Sequence, residues 1–478
     1  MIAQRVSARR LHQLLGQWRG DSHSYHELSE SIVLLVRDGG LPAGSALPAE
    51  RPLAEELGVS RTTVAAAYQQ LREAGAAVSR RGSGTVVRAP RSSETGAWAE
   101  PNEESLDLTR ASPGPWGGLP ALSQRALAEH GDVFQLDGYD TIGRPELRAA
   151  LAARYTARGL PTDPGQIMVT LGAQHAIYLI ARTILRRGDR SLVESPSYPH
   201  AREALAAAGG PVAELPVHGR GYDAASMLSI AAQSAAHLAY LIPDHQNPTG
   251  LSMPGELRAE LIGALASRGA YIVVDETTAE LTLGGARTIR PFAAFADHAH
   301  QRDQILTVGS LGKTVWGGLR IGWIRASSAL IAQLEAARRI GDLGTGAWEQ
   351  VLAQLALERY DEILAERSGE LTASHRVLVE AVAAQLPDWE LSRAGGGVAV
   401  WADLGVPEST RLSRAAARLG LRIPPGPRYG SPGVFERFVR LPFTAPPAQL
   451  DRAIGVLASA WGDRAQGAAV SEPGGAVI

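Results

Sequence analysis

ILTVGSLGKTVWGGLRIGW, residues 305–323, holds at its centre Lys313, the only lysine of the 478-residue chain. All the other members of its 47 lysines and arginines are arginine. A guanidinium stays protonated and does not add to a carbonyl, whereas an amine of lowered pKa does. The apolar, β-branched run Ile305, Leu306, Val308 predicts a buried strand. A Gly-Ser turn follows, then the amine, a Gly-rich segment and Arg320. An amine, a hydroxyl and a fixed cation near one strand end suit a cofactor with both a carbonyl and a phosphate.

Outward from this stretch, residues from 108 onward alternate β-branched runs with Ala/Leu/Arg-rich helical segments. The runs lie at 167–170, 192–194, 238–242, 271–275 and 305–308. That alternation predicts an α/β fold with a mostly parallel central sheet, in which ligands sit beyond the carboxyl ends of the strands. Chemistry-bearing residues collect at those ends. Gly172, Ala173 and Gln174 link a strand to an apolar helix, a turn that can aim free N–H groups at an anion. Tyr198 lies in ESPSYP, Asn247 in NPTG, and Asp275 closes a strand. His245 has no second histidine or carboxylate at ligand spacing, so we expect a loop hydrogen bond there and no metal site.

Ser310-Leu311-Gly312-Lys313 with Gly318-Leu319-Arg320-Ile321-Gly322 resembles the lysine segment of fold-type I aminotransferases. The resemblance implies an internal aldimine of pyridoxal 5′-phosphate (PLP) on Lys313. It also implies phosphate binding by Ser310, Arg320, Gly172, Ala173 and Gln174, ring stacking by Tyr198, and a hydrogen bond from Asn247 to the phenolic oxygen. Asp275 would face the ring nitrogen and keep it protonated. Tyr139 resembles a tyrosine that reaches the partner subunit's phosphate, and Arg440 matches the arginine that clamps a substrate carboxylate. Thr277 and Thr278 stand where the family has a tyrosine, which implies weakened transamination.

The first ninety residues have a different pattern. Residues 1–91 hold 12 arginines against 8 acids, and the remainder 35 basic against 41 acidic residues. A mildly basic piece on an acidic body suits a polyanion-binding module. Arg5, Arg9, Arg10 and Arg19, with leucines at helical spacing, allow a basic arm on DNA (residues 1–21) or a short helix packed on the body. Leu28, Ile32 and Val36, then Leu53 and Leu57, then Val64, Tyr68 and Leu71 make three helical stripes separated by glycine stops. Ser60 is a good N-cap, and Arg61, Thr62 and Thr63 open the third helix. Arg80, Arg81 and Gly82 lie at the tip of a hairpin that can rest on a DNA groove. These motifs resemble the winged helix of GntR-family regulators, in which the positions of Arg51, Ser60, Arg61, Thr62, Thr63 and Gly82 contact operator DNA.

The order of the parts is a winged helix (22–90), a polar linker (91–107), an aminotransferase-like body (108–462) and a disordered tail (463–478). The chain thereby resembles the MocR subfamily of GntR regulators. That implies a PLP-dependent regulator of double-stranded operator DNA, an amine or amino acid effector, and a head-to-tail homodimer with exchanged winged helices. The alternative is a working PLP-dependent aminotransferase with a DNA-binding appendage. Cysteine is absent, which excludes disulfides and thiolate metal sites. With no membrane-length apolar run and no signal sequence, we expect a cytoplasmic protein.

Overall fold

The computed structural model describes residues 5–16, 18, 19, 24–37, 40–80, 84–88, 106–431 and 433–469. Helices α1 (Ala8–Leu15), α2 (Ser24–Arg37), α3 (Glu50–Leu57) and α4 (Arg61–Glu73) precede the antiparallel hairpin β1 (Ala77–Arg80) and β2 (Gly84–Val87). The three sequence stripes meet in one apolar core, with Leu28, Ile32, Leu53, Val64, Tyr68 and Leu71 buried. Gly58, at φ +64, ends α3 and donates back to the carbonyls of Ala54 and Glu55. Two residues later Ser60 caps α4, its hydroxyl accepting from the Thr63 N–H at 3.1 Å. This short link makes the helix-turn-helix.

The described part of residues 1–21 does not form a free arm. Leu11 and Leu15 of α1, with Trp18, pack into the winged-helix core. A helix with one apolar face is more stable with that face buried, and α2 and α3 supply the surface.

The body opens with β3 (Leu106–Asp107) and is built on an eight-stranded sheet. Its strands are β4 (Ile167–Thr170), β5 (Arg190–Ser195), β6 (Val212–His218), β7 (Gly221–Tyr222), β8 (Ala236–Leu241), β9 (Tyr271–Asp275), β10 (Ile305–Ser310) and β11 (Gly322–Arg325). Their spatial order is β4-β11-β10-β9-β8-β5-β6-β7. The central pairs are parallel, whereas β11 and β7 run antiparallel to their neighbours. Strands covered on both faces are continuously apolar, which is why the five sequence runs fall in β4, β5, β8, β9 and β10. Strand β11 was hidden in the Gly-rich segment after Lys313, and β6 is broken up by Pro216.

A smaller sheet joins β12 (Glu390–Leu391), β13 (Ala399–Asp403) and β15 (Phe438–Pro442). The short β14 (Leu421–Arg422) pairs in parallel with β3. The last helix, Pro447–Ala469, runs past the tail boundary expected at 463, because its alanine-rich end keeps high helix propensity. Residues 470–478 and the linker from 91 to 105 lie outside the described residues. Among the described residues no helix is long and apolar enough to cross a membrane.

The winged helix rests on the small end of the body. Arg414, buried on helix Ser409–Arg418, donates to the Glu27 carbonyl at 2.9 Å and to the Ser31 hydroxyl at 3.1 Å, both on α2. Arg418 pairs with Glu30.

Candidate functional site

Sheet register brings the distant motifs together. The last residues of β4 and β10, Thr170 and Ser310, both sit opposite Gly322 of β11. A Cβ on Gly322 would lie 2.6 Å from the carbonyl carbon of Gly172 and 2.8 Å from the nitrogen of Ala173. Glycine therefore lets the turn after β4 close over β11. Gly172 has φ +98 and starts helix Ala173–Ile184. A Cβ there would lie 3.0 Å from Nη2 of Arg320. The guanidinium thus covers the helix start, where N–H groups and the helix dipole favour an anion.

Arg320 sits in the left-handed region at φ +53, a conformation that costs about 1–3 kcal/mol for a non-glycine residue. Its Nη2 donates to the Leu171 carbonyl at 2.7 Å, which fixes the side chain above the turn. Ser310 donates to the Ile321 carbonyl at 3.0 Å and accepts from the Gly312 N–H at 3.0 Å.

Lys313 lies in a single π turn, Gly312–Trp316, a backbone irregularity common at functional sites. Its Nζ donates to the Ala111 carbonyl at 2.6 Å. Burial and the neighbouring Arg440 guanidinium, against the opposing pull of Asp275, lower its pKa to about 8. At neutral pH a useful fraction of the amine is therefore unprotonated.

Asp275 is buried at the end of β9. Its Oδ2 accepts from the Tyr240 hydroxyl at 2.6 Å and its Oδ1 from the Thr277 N–H at 2.9 Å. Arg440, on β15, donates to the Thr109 carbonyl at 2.6 Å and to Oδ1 of Asn247 at 3.3 Å. That bond occupies the Asn247 carbonyl and leaves its N–H groups to donate. The Thr278 hydroxyl donates back to the Asp244 carbonyl at 3.3 Å, so it does not stand in for the missing tyrosine.

One cavity of about 410 Å³ collects Lys313, Gly172, Ala173, Gln174, Tyr198, Asn247, Asp275, Ser310, Arg320 and Arg440. A phosphate-bearing pyridine aldehyde fits this donor set. The glycine cradle with its cation suits the phosphate, the carboxylate suits a ring nitrogen, and the amine suits the aldehyde. Tyr139 does not join the cavity of its own chain and is 72% exposed.

Sequence reasoning missed three parts of the site. Thr109 and Ala111 act through backbone carbonyls, which no side-chain pattern shows. Tyr240 carries no signal in the sequence beyond its strand, although a hydroxyl in a fully buried strand needs a polar partner. Buried Gln246 accepts from Thr249 N–H at 3.0 Å and donates to the Pro196 carbonyl at 2.7 Å, tying the Asn247 loop to the loop that carries Tyr198.

At the other end, Arg61, Thr62 and Thr63 form the first turn of α4. The Ser60 hydroxyl lies 2.6 Å from that of Thr62 and 2.8 Å from that of Thr63. Arg61 pairs with Glu50 at 3.1 Å, and Arg51 with Glu55 at 3.0 Å. Arg80 is exposed at the end of β1. Arg81 and Gly82 lie outside the described residues.

Comparison with known proteins agrees with both ends. The model of the family "Aminotransferase class I and II" matches residues 121–457, and that of "Bacterial regulatory proteins, gntR family" matches residues 24–87. The HTH-type transcriptional regulator TauR of Rhodobacter capsulatus is 26% identical over 92% of this chain and 97% of its own. The probable rhizopine catabolism regulatory protein MocR of Rhizobium meliloti is 30% identical over 77% of this chain and 79% of its own. Among solved structures, the α-aminoadipate aminotransferase LysN of Thermus thermophilus, complexed with N-(5′-phosphopyridoxyl)-L-leucine, is 25% identical. It aligns with a TM-score of 0.69 over 76% of this chain and 94% of its own. The chain belongs to the MocR subfamily of GntR-family transcription regulators, a gntR-type winged helix fused to an aminotransferase class I and II domain.

Proposed function

We propose that this protein is a DNA-binding regulator that carries PLP covalently on Lys313 and changes its hold on operator DNA when an amine or amino acid enters the same cavity. The observation that carries the reading is the chain's only lysine, with a pKa of about 8, in one cavity with Asp275, Arg320 and Arg440. When bound, PLP supplies an electrophilic carbon and an electron-withdrawing ring. Arg320, Ser310 and the N–H groups of Ala173 and Gln174 would hold its phosphate. Asp275, steadied by Tyr240, would keep a proton on the ring nitrogen, and Tyr198 would cover a ring face. Asn247 would donate to the phenolic oxygen. Arg440 would turn from the Thr109 carbonyl to a ligand carboxylate, a stronger, charge-assisted partner.

Contacts within the chain support a route from ligand to DNA. The Arg440 guanidinium carbon lies 5.2 Å from the centre of the Tyr429 ring. On the strand that carries Arg440, the stretch just before β15 holds Glu436. Its carboxylate accepts from the Thr410 N–H at 3.1 Å and from the Thr410 hydroxyl at 2.8 Å, at the start of helix Ser409–Arg418. That helix holds α2 through Arg414. A ligand that moves Arg440 would therefore shift the seat of the winged helix, provided it binds the two arrangements unequally. Ser60, Arg61, Thr62, Thr63, Arg51 and the wing residues Arg80, Arg81 and Gly82 would meet the DNA.

We further propose a homodimer. Phe134, Leu136, Tyr139, Ile340 and Leu343 expose a large apolar surface, with Ile340 at 91% exposure, and the Asp140–Gly344 bridge draws its two segments together. Such a patch is unusual on a monomer. A head-to-tail pair would bring Tyr139 to the partner's cavity, and exchange of winged helices would pass the α2 contact to the partner. Two winged helices would then read two half-sites.

The second reading, a working aminotransferase, is favoured by the presence of Asn247, Asp275, Tyr198 and Arg440 together, and opposed by the diverted Thr278. To test both, the protein is reconstituted with PLP, reduced with borohydride and digested. A pyridoxyl mass on the peptide 303–320 supports the covalent site, and its absence sinks it. Operator affinity with and without PLP and amino acids, measured beside turnover, then separates regulator from enzyme.

A further inference from the structure

One cation that lines the cavity has no group assigned to it in the reading above. Among the lining residues the cations are Arg110, Lys313, Arg320 and Arg440, and the only acid is Asp275. In the reading above, Arg320 serves the phosphate, Lys313 the aldehyde, Asp275 the ring nitrogen and Arg440 one carboxylate. Arg110 is left over. No hydrogen bond or ion pair engages it among the described residues.

Its place in the chain makes this cation hard to treat as a stray surface charge. Arg110 stands between Thr109, whose carbonyl accepts from Arg440, and Ala111, whose carbonyl accepts from Lys313. The backbone on both sides of it is therefore pinned to the two groups that would meet a ligand. The nearest acid in sequence, Asp107, is already engaged. Its Oδ1 accepts from the Thr109 N–H at 2.8 Å, and its Oδ2 pairs with Arg422 at 3.3 Å. An unpaired guanidinium on the wall of a cation-rich cavity favours a second anionic group on whatever enters.

We propose that Arg110 receives a second acidic group of the ligand, so that the effector is an amino dicarboxylate and not a monocarboxylic amine or amino acid. One carboxylate goes to Arg440 and the other, at the far end of the side chain, to Arg110. The proposal rests on the cavity being the PLP and effector site.

The test uses the full chain reconstituted with PLP, with loading verified by the borohydride-trapped peptide. Aspartate, glutamate and 2-aminoadipate are titrated against glutamine, an uncharged isostere of glutamate, by the change in visible absorbance. The best dicarboxylate should bind at least about tenfold more tightly than glutamine, the scale of one charge-assisted pair. Arg110→Ala should bring that ratio near unity, and Arg110→Lys should restore part of it. Arg110 is exposed, and an unchanged melting midpoint checks the fold of each variant. Loaded wild-type protein with no preference, or a preference that survives Arg110→Ala, overturns the proposal and leaves the PLP reading standing. If no PLP is trapped, the underlying reading fails by itself. Calorimetry with glutarate against butyrate on the unloaded protein then still decides: loss of the glutarate preference in Arg110→Ala supports the role of Arg110, and its survival overturns it.

Discussion

The cavity of the body and the DNA-facing end of the winged helix are both helix starts flanked by arginine, and they treat that arginine in opposite ways. In the cavity, Arg440 is buried and donates to a backbone carbonyl, and Arg320 is likewise fixed to the Leu171 carbonyl. On the winged helix, Arg61 and Arg51 are largely exposed and pair with Glu50 and Glu55. A cation donating to a backbone carbonyl is preset by the fold until a stronger, charge-assisted partner displaces that carbonyl. An exposed pair of long side chains is worth little and can exchange one anion for another. In the proposed function the cavity would be a preset receptor, while the DNA-facing end would be an adjustable surface whose glutamates must give way to phosphate. Little affinity per arginine follows, which is why a pair of winged helices would be needed.

The comparison would break first at Lys313. Lys313→Arg keeps the charge and removes the only side-chain amine. Covalent retention of PLP should vanish, with no visible absorbance after desalting and no pyridoxyl mass after reduction. Retention by this variant would mean that the cavity is not the fixed covalent site described. The next largest effect tests rigidity directly. Gly322→Ala forces a Cβ against the backbone of Gly172 and Ala173, and should cost about 2–4 kcal/mol in denaturant unfolding. Ser60→Ala, which removes the cap of α4, should cost only about 1 kcal/mol. Equal costs would erase the contrast between the two regions.

A smaller effect belongs to the DNA side. Arg61→Ala should weaken operator binding by about 1–3 kcal/mol and lower the salt dependence. Glu50→Gln should strengthen binding, since it frees Arg61. Fluorescence anisotropy at several salt concentrations measures both. If Glu50→Gln has no effect, the exposed pair is not a competitor for phosphate.

The two regions also differ in how much their sequence disclosed. The parallel strands and the motifs that carry Lys313, Asp275, Asn247 and Arg440 are legible because each is a contiguous run of residues on or just after a strand. The groups that hold them are not. Lys313 meets the Ala111 carbonyl 202 positions away, and Arg414 meets the Glu27 carbonyl 387 positions away. Backbone acceptors leave no trace in residue type, and such separations are set by topology. The α1 segment stays open between an arm on DNA and a packed helix for a related reason. Its arginines suggest DNA, but three apolar side chains at helical spacing sufficed to fold it into the core.

The last effect is a pH dependence specific to the buried side of the comparison. Glu194, at the end of β5, is fully buried behind the cavity, and burial raises its pKa to about 8 despite bonds from the Ile242 N–H and the Gln246 amide. A folded-state pKa above the unfolded value means that the native chain binds the proton more tightly. The resulting stability is complete below about pH 4.5 and is lost as pH rises through about 8. Glu194→Gln keeps an oxygen to accept from Ile242 and has no proton to lose. Its melting midpoint should match the wild type near pH 5 and rise progressively above it towards pH 8, with a difference growing by up to about 1.4 kcal/mol per pH unit. An exposed, arginine-paired glutamate such as Glu55, changed to glutamine, should show no such divergence. If the two variants behave alike across that range, the carboxyl behind the cavity is not desolvated, and the receptor is wetter and less fixed than its contacts indicate.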